Sequence, residues 1–107
     1  MFATAERSGW TVVTVGDTLD ASNAEAAKTF FRNLVDGGAN RVVVDLSGLG
    51  FIDSSGLGAL VTALKTARAV GGDVRLCCLT PPVRSIFQLT RLDKVFTVHD
   101  RVEDAIS

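Results

Sequence analysis

The sequence predicts an α/β domain, with one mixed β-sheet packed against about four helices. Three observations carry this. Short runs rich in β-branched residues alternate with segments whose apolar residues recur every three or four positions. Gly-Gly and Pro-Pro pairs punctuate the changeovers. The order reads β-β-α-β-α-β-α-β-α. It opens on two consecutive strands, which pair antiparallel, and continues in strand–helix–strand units, which pair parallel.

Each element has its own signal. Phe2 to Glu6 and Trp10 to Val15 read as a hairpin, with Gly9 supplying the turn in Arg7-Ser8-Gly9 and Val12, Val13 and Val15 supplying β-branched bulk. Ser22-Asn23-Ala24-Glu25 fits a capping box with Ser22 at the N-cap. Ala24, Ala27, Phe31, Leu34 and Val35 then recur as one apolar helix face, and Gly37-Gly38 ends it. Arg41 to Leu46 is a near-continuous apolar run, as expected of a strand buried on both faces. Ser47-Gly48-Leu49-Gly50 reads as a turn, and Phe51-Ile52 leads into Asp53-Ser54-Ser55-Gly56. A second helix reaches about Val70 on a core face of Leu57, Leu60, Val61, Leu64 and Ala67, and Gly71-Gly72 stops it. Val74 to Leu79 is the next strand. Pro81-Pro82 opens a short helix that carries Val83, Ile86, Phe87 and Leu89 inside. Lys94 to Val98 reads as a last strand. Asp100 to Ile106 reads as a last helix, with Val102, Ala105 and Ile106 inward.

Composition narrows the functional classes. At 107 residues, 47% hydrophobic and 21% charged, the chain suits one globular domain with a core of its own. Eleven basic and twelve acidic residues give a net charge of -1, and they are interspersed, so no basic stripe suggests nucleic acid. The first residues lack a basic n-region and an apolar stretch of signal length. The longest apolar-rich segment, Gly56 to Val61, is far short of a membrane span, so a cytoplasmic protein without membrane contact is expected. One histidine and two cysteines leave little material for a metal site or disulfide framework, and no cofactor is expected. Cys77 and Cys78 are adjacent. On a strand their thiols would face opposite sides, so they read as two small hydrophobes in a reducing compartment.

The informative stretch is Val42 to Leu60, a buried strand followed by Asp53-Ser54-Ser55-Gly56-Leu57-Gly58 at a helix start. Asp and Ser are the types that satisfy free amide hydrogens there, and the helix N-terminus favours negative charge. Gly56 and Gly58 remove side chains from the first turn, so another backbone or a partner can come close. Gly58 costs the helix about 1 kcal/mol relative to alanine, which suggests a purpose beyond helix stability. Taken alone, Ser54 is most simply a cap. Other motifs fail on these residues. No Gly-Lys pair supports a Walker loop. Gly48-Leu49-Gly50 would need a third glycine where Asp53 stands. A hydrolase elbow needs Gly-x-Ser-x-Gly, but Ile52 precedes Ser54 at that spacing, and a triad would have to recruit the lone His99.

At Val42-Val43-Val44-Asp45-Leu46-Ser47 and Phe51-Ile52-Asp53-Ser54-Ser55-Gly56-Leu57-Gly58 the sequence resembles the STAS domains, and within them the bacterial anti-sigma factor antagonists. The likeness continues through Gly71-Gly72, the following prolines and Val83-Arg84-Ser85-Ile86-Phe87. It covers nearly the whole chain, so residues 1–107 are expected to form a single STAS domain. The resemblance implies a regulatory switch with no catalytic residues of its own. In the family, the first serine after the aspartate is phosphorylated by a partner that is both anti-sigma factor and ATP-dependent serine kinase, and a phosphatase restores it. That position here is Ser54. The unphosphorylated form binds the kinase and frees the sigma factor. The implied partner-binding residues are Asp20, Asp53, Ser54, Ser55, Gly56, Leu57 and Gly58, on a monomer or weak dimer. One departure stands out. Gly16-Asp17-Thr18-Leu19-Asp20 is one residue longer than the family's usual Gly-Glu-Leu/Ile-Asp, and Asp20 is the better match to the final aspartate, which lies near the switch serine. The alternative is a STAS scaffold or transporter-associated subunit that binds without a phosphorylation cycle.

Overall fold

The computed structural model describes residues 2–107. Five strands form one sheet in the order β1-β2-β3-β4-β5: Phe2–Arg7, Trp10–Leu19, Arg41–Ile52, Asp73–Cys77 and Thr97–His99. β1 runs antiparallel to β2, and every other neighbouring pair is parallel. Among the described residues, four α-helices complete the fold: α1 (Ala24–Asp36), α2 (Ser54–Arg68), α3 (Pro81–Leu89) and α4 (Val102–Ala105). The predicted class and element order therefore hold. The hairpin turn is the two-residue Ser8-Gly9, with φ of 53° and 83°, the left-handed pair that matches strand twist.

The two sheet faces are covered unequally. On one, Val13, Val15, Val42, Val44 and Leu76 meet Ala27 and Phe31 of α1, Leu60 and Leu64 of α2, and Val83 and Phe87 of α3. On the other, Trp10, Val12, Val43 and Cys77 lie under Ala105 of α4, with Val102 and Ile106 packed alongside. This is why β3 reads as a continuous apolar run. The guanidinium carbons of Arg41 and Arg75 lie 4.6 and 4.4 Å from the centre of the buried Trp10 ring, close enough for cation–π attraction.

Several boundaries differ from expectation. β3 does not turn at Ser47–Gly50 but continues to Ile52, because β2 also runs on to Leu19 and offers pairing partners: Gly16 to Gly48, Asp17 to Leu49, Thr18 to Phe51. Register shifts between Thr14 and Gly16 and between Asp17 and Thr18 absorb the mismatch, with Asp17 at φ 58°. Ser22 is not the N-cap of α1. That place falls to Asn23, whose side chain turns back to accept from the Asp20 amide (2.9 Å) and donate to the Thr18 carbonyl (2.9 Å). Ser22 instead donates from amide and hydroxyl to Asp20 Oδ1 at 2.9 and 2.5 Å. β4 stops at Cys77, two residues early, because Cys78 adopts φ 68°. Leu89, expected inside α3, is 84% exposed because the helix ends there. Leu92–Lys94 is a 3-10 turn, so the last strand is only Thr97–His99, and α4 is a single turn.

Candidate functional site

The site forms where β2 and β3 end side by side and α2 begins. Asp53 leaves β3 in extended conformation and caps α2. Its Oδ1 accepts from the Gly56 amide at 3.0 Å, and its Oδ2 accepts from the Ala21 amide at 3.2 Å. Its own amide donates to the Leu19 carbonyl at 3.3 Å. One carboxylate thus ties the α2 start to the loop after β2. The cap is Asp53, so Ser54 is released from that duty. Ser54 is the first residue of α2, it is exposed, and its hydroxyl makes no hydrogen bond among the described residues. The simplest reading of Ser54, as a cap, is overturned by this geometry.

The remaining predicted residues separate by burial. Asp20, Asp53, Ser55 and Gly58 are half-buried at the surface around Ser54. Asp20 heads the loop that Asp53 grips, and its carboxylate is occupied by Ser22. Gly56 and Leu57 are turned inward, so neither presents a side chain to a partner. At Gly56 a Cβ would overlap the Leu19 carbonyl oxygen, so the missing side chain serves contact with β2. At Gly58 the space beyond is open, with nothing within 4 Å of a built Cβ. The two glycines therefore have different causes.

Phe51 is a candidate that the sequence alone does not single out. It stands two positions before Asp53 and is 51% exposed, in a strand where Leu49 and Ile52 point into the core. Strand alternation says that Phe51 and Ile52 face opposite ways, but not which of them is outside. Thr80, the residue before α3, donates its hydroxyl to the Leu49 carbonyl at 2.7 Å and brings the start of α3 to the same end of the sheet. His99 lies on edge strand β5, two strands from β3, so no Ser–His pair forms with Ser54.

The adjacent cysteines also depart from expectation. Both are free thiols, but they do not face apart. The left-handed backbone at Cys78 swings its sulfur to 2.9 Å from that of Cys77. Burial pushes both thiols above their ordinary range, most strongly at Cys77. Among the described residues, no helix is long and apolar enough to cross a membrane.

Comparison with known proteins agrees with this architecture. BtrV of Bordetella bronchiseptica, provisionally described as an anti-sigma factor antagonist, is 33% identical over 97 residues, covering 91% of this chain and 84% of BtrV. The crystal structure of the Thermotoga maritima protein TM1081, described in the same provisional terms, superposes with a TM-score of 0.92 at 26% identity, covering 98% of this chain and 91% of that one. The anti-sigma factor antagonist SpoIIAA of Bacillus shares the fold in its unphosphorylated form (TM-score 0.73, 23% identity, 97% and 92% covered) and in its phosphorylated form (TM-score 0.75, 24% identity, 99% and 96% covered). The family model for the STAS domain matches residues 1–105. With its hairpin-plus-parallel sheet and its Asp-capped second helix, the chain belongs to the STAS domain family.

Proposed function

We propose that the protein is an anti-sigma factor antagonist whose partner binding is switched by phosphorylation of Ser54. The observation that carries this reading is the exposed Ser54 hydroxyl at the start of α2, without a hydrogen bond among the described residues and beside an aspartate that already caps the helix. A hydroxyl with no structural duty can be modified without loss of the fold. A phosphate there would add about -1.5 to -2 charges. The helix N-terminus favours such charge, so α2 is expected to persist. A partner packed on Ser54, Gly58 and Phe51 would have to desolvate it, with Asp20 and Asp53 adding negative charge nearby. Binding is then lost while the fold remains.

The partner is an anti-sigma factor that is also an ATP-dependent serine kinase, and a serine phosphatase reverses the modification. The exchange regulates transcription by releasing a sigma factor in the cytoplasm, and the antagonist acts as a monomer or weak dimer. Relatives described as anti-sigma factor antagonists support this reading, as does the existence of SpoIIAA in both phosphorylation states. The test is incubation with Mg-ATP and the candidate kinases of the same organism, with the phosphate mapped by mass spectrometry. Ser54→Ala should abolish phosphate incorporation and keep kinase binding, while Ser54→Asp should weaken binding. Modification of the Ser54→Ala protein at one defined site by the cognate kinase would overturn the assignment.

A further inference from the structure

The sheet face under α4 holds a cluster that the switch does not use. Asp45, Cys77 and His99 are register partners and so form one row across β3, β4 and β5 on a single face. Cys78 joins the row because its left-handed backbone turns its thiol back toward Cys77. The carboxylate of Asp45 and the two sulfurs all lie within 4.8 Å of one another. Oδ1 of Asp45 accepts from the Ser47 amide at 2.9 Å, which fixes the carboxylate, and the Cys78 thiol is hydrogen-bonded to the same carboxylate. Nε2 of His99, on the same face but outside that three-residue group, is buried with no hydrogen-bond partner among the described residues. Cys77 is fully buried, whereas Cys78 and Asp45 are half-buried, so an ion can arrive from their side.

We propose that Asp45, Cys77 and Cys78 bind a thiophilic divalent cation of the zinc and cadmium class. Two sulfurs and a carboxylate are a donor set that soft-to-borderline metals select over magnesium or calcium. Zn–S bonds of about 2.3 Å set tetrahedral sulfurs roughly 3.8 Å apart, so the thiols must open by about 1 Å. The half-buried Cys78 side chain has the freedom to move. On binding, each thiol gives its proton to solvent and its sulfur lone pair to the metal. The Asp45 carboxylate supplies the third ligand. Two protons are released per ion, and nothing is oxidised or reduced. The metal would join β3, β4 and the residue after β4 beneath α4.

The test is a titration of the reduced, desalted full chain with cadmium chloride, read by thiolate-to-cadmium charge-transfer absorption and by native mass spectrometry. One cadmium per chain is expected, with two protons released in weak buffer and displacement by zinc. Cys78→Ser should weaken binding about 100-fold and Asp45→Asn about tenfold, with unchanged far-UV circular dichroism. The proposal fails if no charge-transfer band appears, or if Cys78→Ser binds cadmium as tightly as the parent. It also fails if the reduced chain loses two hydrogens to an internal disulfide instead of taking up metal.

Discussion

Alanine at position 56 should do the opposite of alanine at position 58, although both replace glycine in the first turns of one helix. At Gly56 the new Cβ would overlap the Leu19 carbonyl oxygen and stand 2.8 Å from the carbonyl carbon and 2.9 Å from Cγ1 of Ile52. The first two contacts are backbone, so β2 itself must move. Overpacking of this kind costs about 1–3 kcal/mol. The same carbonyl accepts from the Asp53 amide, a bond worth about 1 kcal/mol that the displacement strains. Against this, alanine recovers about 1 kcal/mol of helix propensity. The net expectation is a loss of about 1–3 kcal/mol for Gly56→Ala. For Gly58→Ala only the propensity gain remains, because nothing lies within 4 Å of the new carbon. Urea unfolding followed by circular dichroism measures both. With a denaturant slope of about 1.5 kcal/mol per molar, the Gly56→Ala midpoint should fall by roughly 0.7–2 M and the Gly58→Ala midpoint should rise by about 0.7 M. Equal stability of Gly56→Ala and the parent would refute the close approach of Leu19. If Gly58→Ala is as stable as the parent or more so, yet loses partner affinity, the open space at Gly58 belongs to the partner.

Two further outcomes follow from the same contacts. Asp53→Ala removes the acceptor of the Gly56 and Ala21 amides and should cost about 1–2 kcal/mol, measured by the same unfolding curves, whereas Asp53→Asn should retain most of the cap. Both thiols titrate above their ordinary value, which is near 9.0, mainly because of burial. A thiol raised in the folded state gives stability that is fully present below the unfolded pKa and is lost as pH rises through the folded one. The parent should therefore lose stability above about pH 9 faster than a Cys77→Ala/Cys78→Ala double variant, read as urea midpoints at several alkaline pH values.

The long apolar periodicities of α1 and α2 were legible because they repeat over several turns. Ala27, Phe31, Leu60 and Leu64 are all buried as their spacing requires. What sequence missed are cases where tertiary pairing outweighs local preference. Gly48 and Gly50 look like turn residues, yet β2 offers Gly16 as a partner for Gly48, and Gly50 is passed over in the register shift between Leu49 and Phe51 so that the strand runs on. Ser22 carries the capping signature, but Asp20 captures its hydroxyl and Asn23 takes the cap. Leu89 has helical spacing but sits where the helix stops, past the core. At the candidate site, the sequence located the segment but not the division of labour. Asp53 holding the Ala21 amide across 32 residues, and Phe51 facing out, depend on how β2 and β3 end together. The convergence of Cys78 on Cys77 depends on one left-handed residue that no pattern announces.

Trp10 is the chain's sole tryptophan, and it is buried against Arg41 and Arg75. The protein therefore carries one built-in fluorophore, and it watches a single place. Its cluster includes Cys77 and Ala105, so its emission reports on the α4 side of the sheet. It has no part in the α2 start. Changes in its intensity would follow events at the thiols or the loosening of α4. A phosphate on Ser54 should leave it silent, so one optical signal separates the two faces of the molecule.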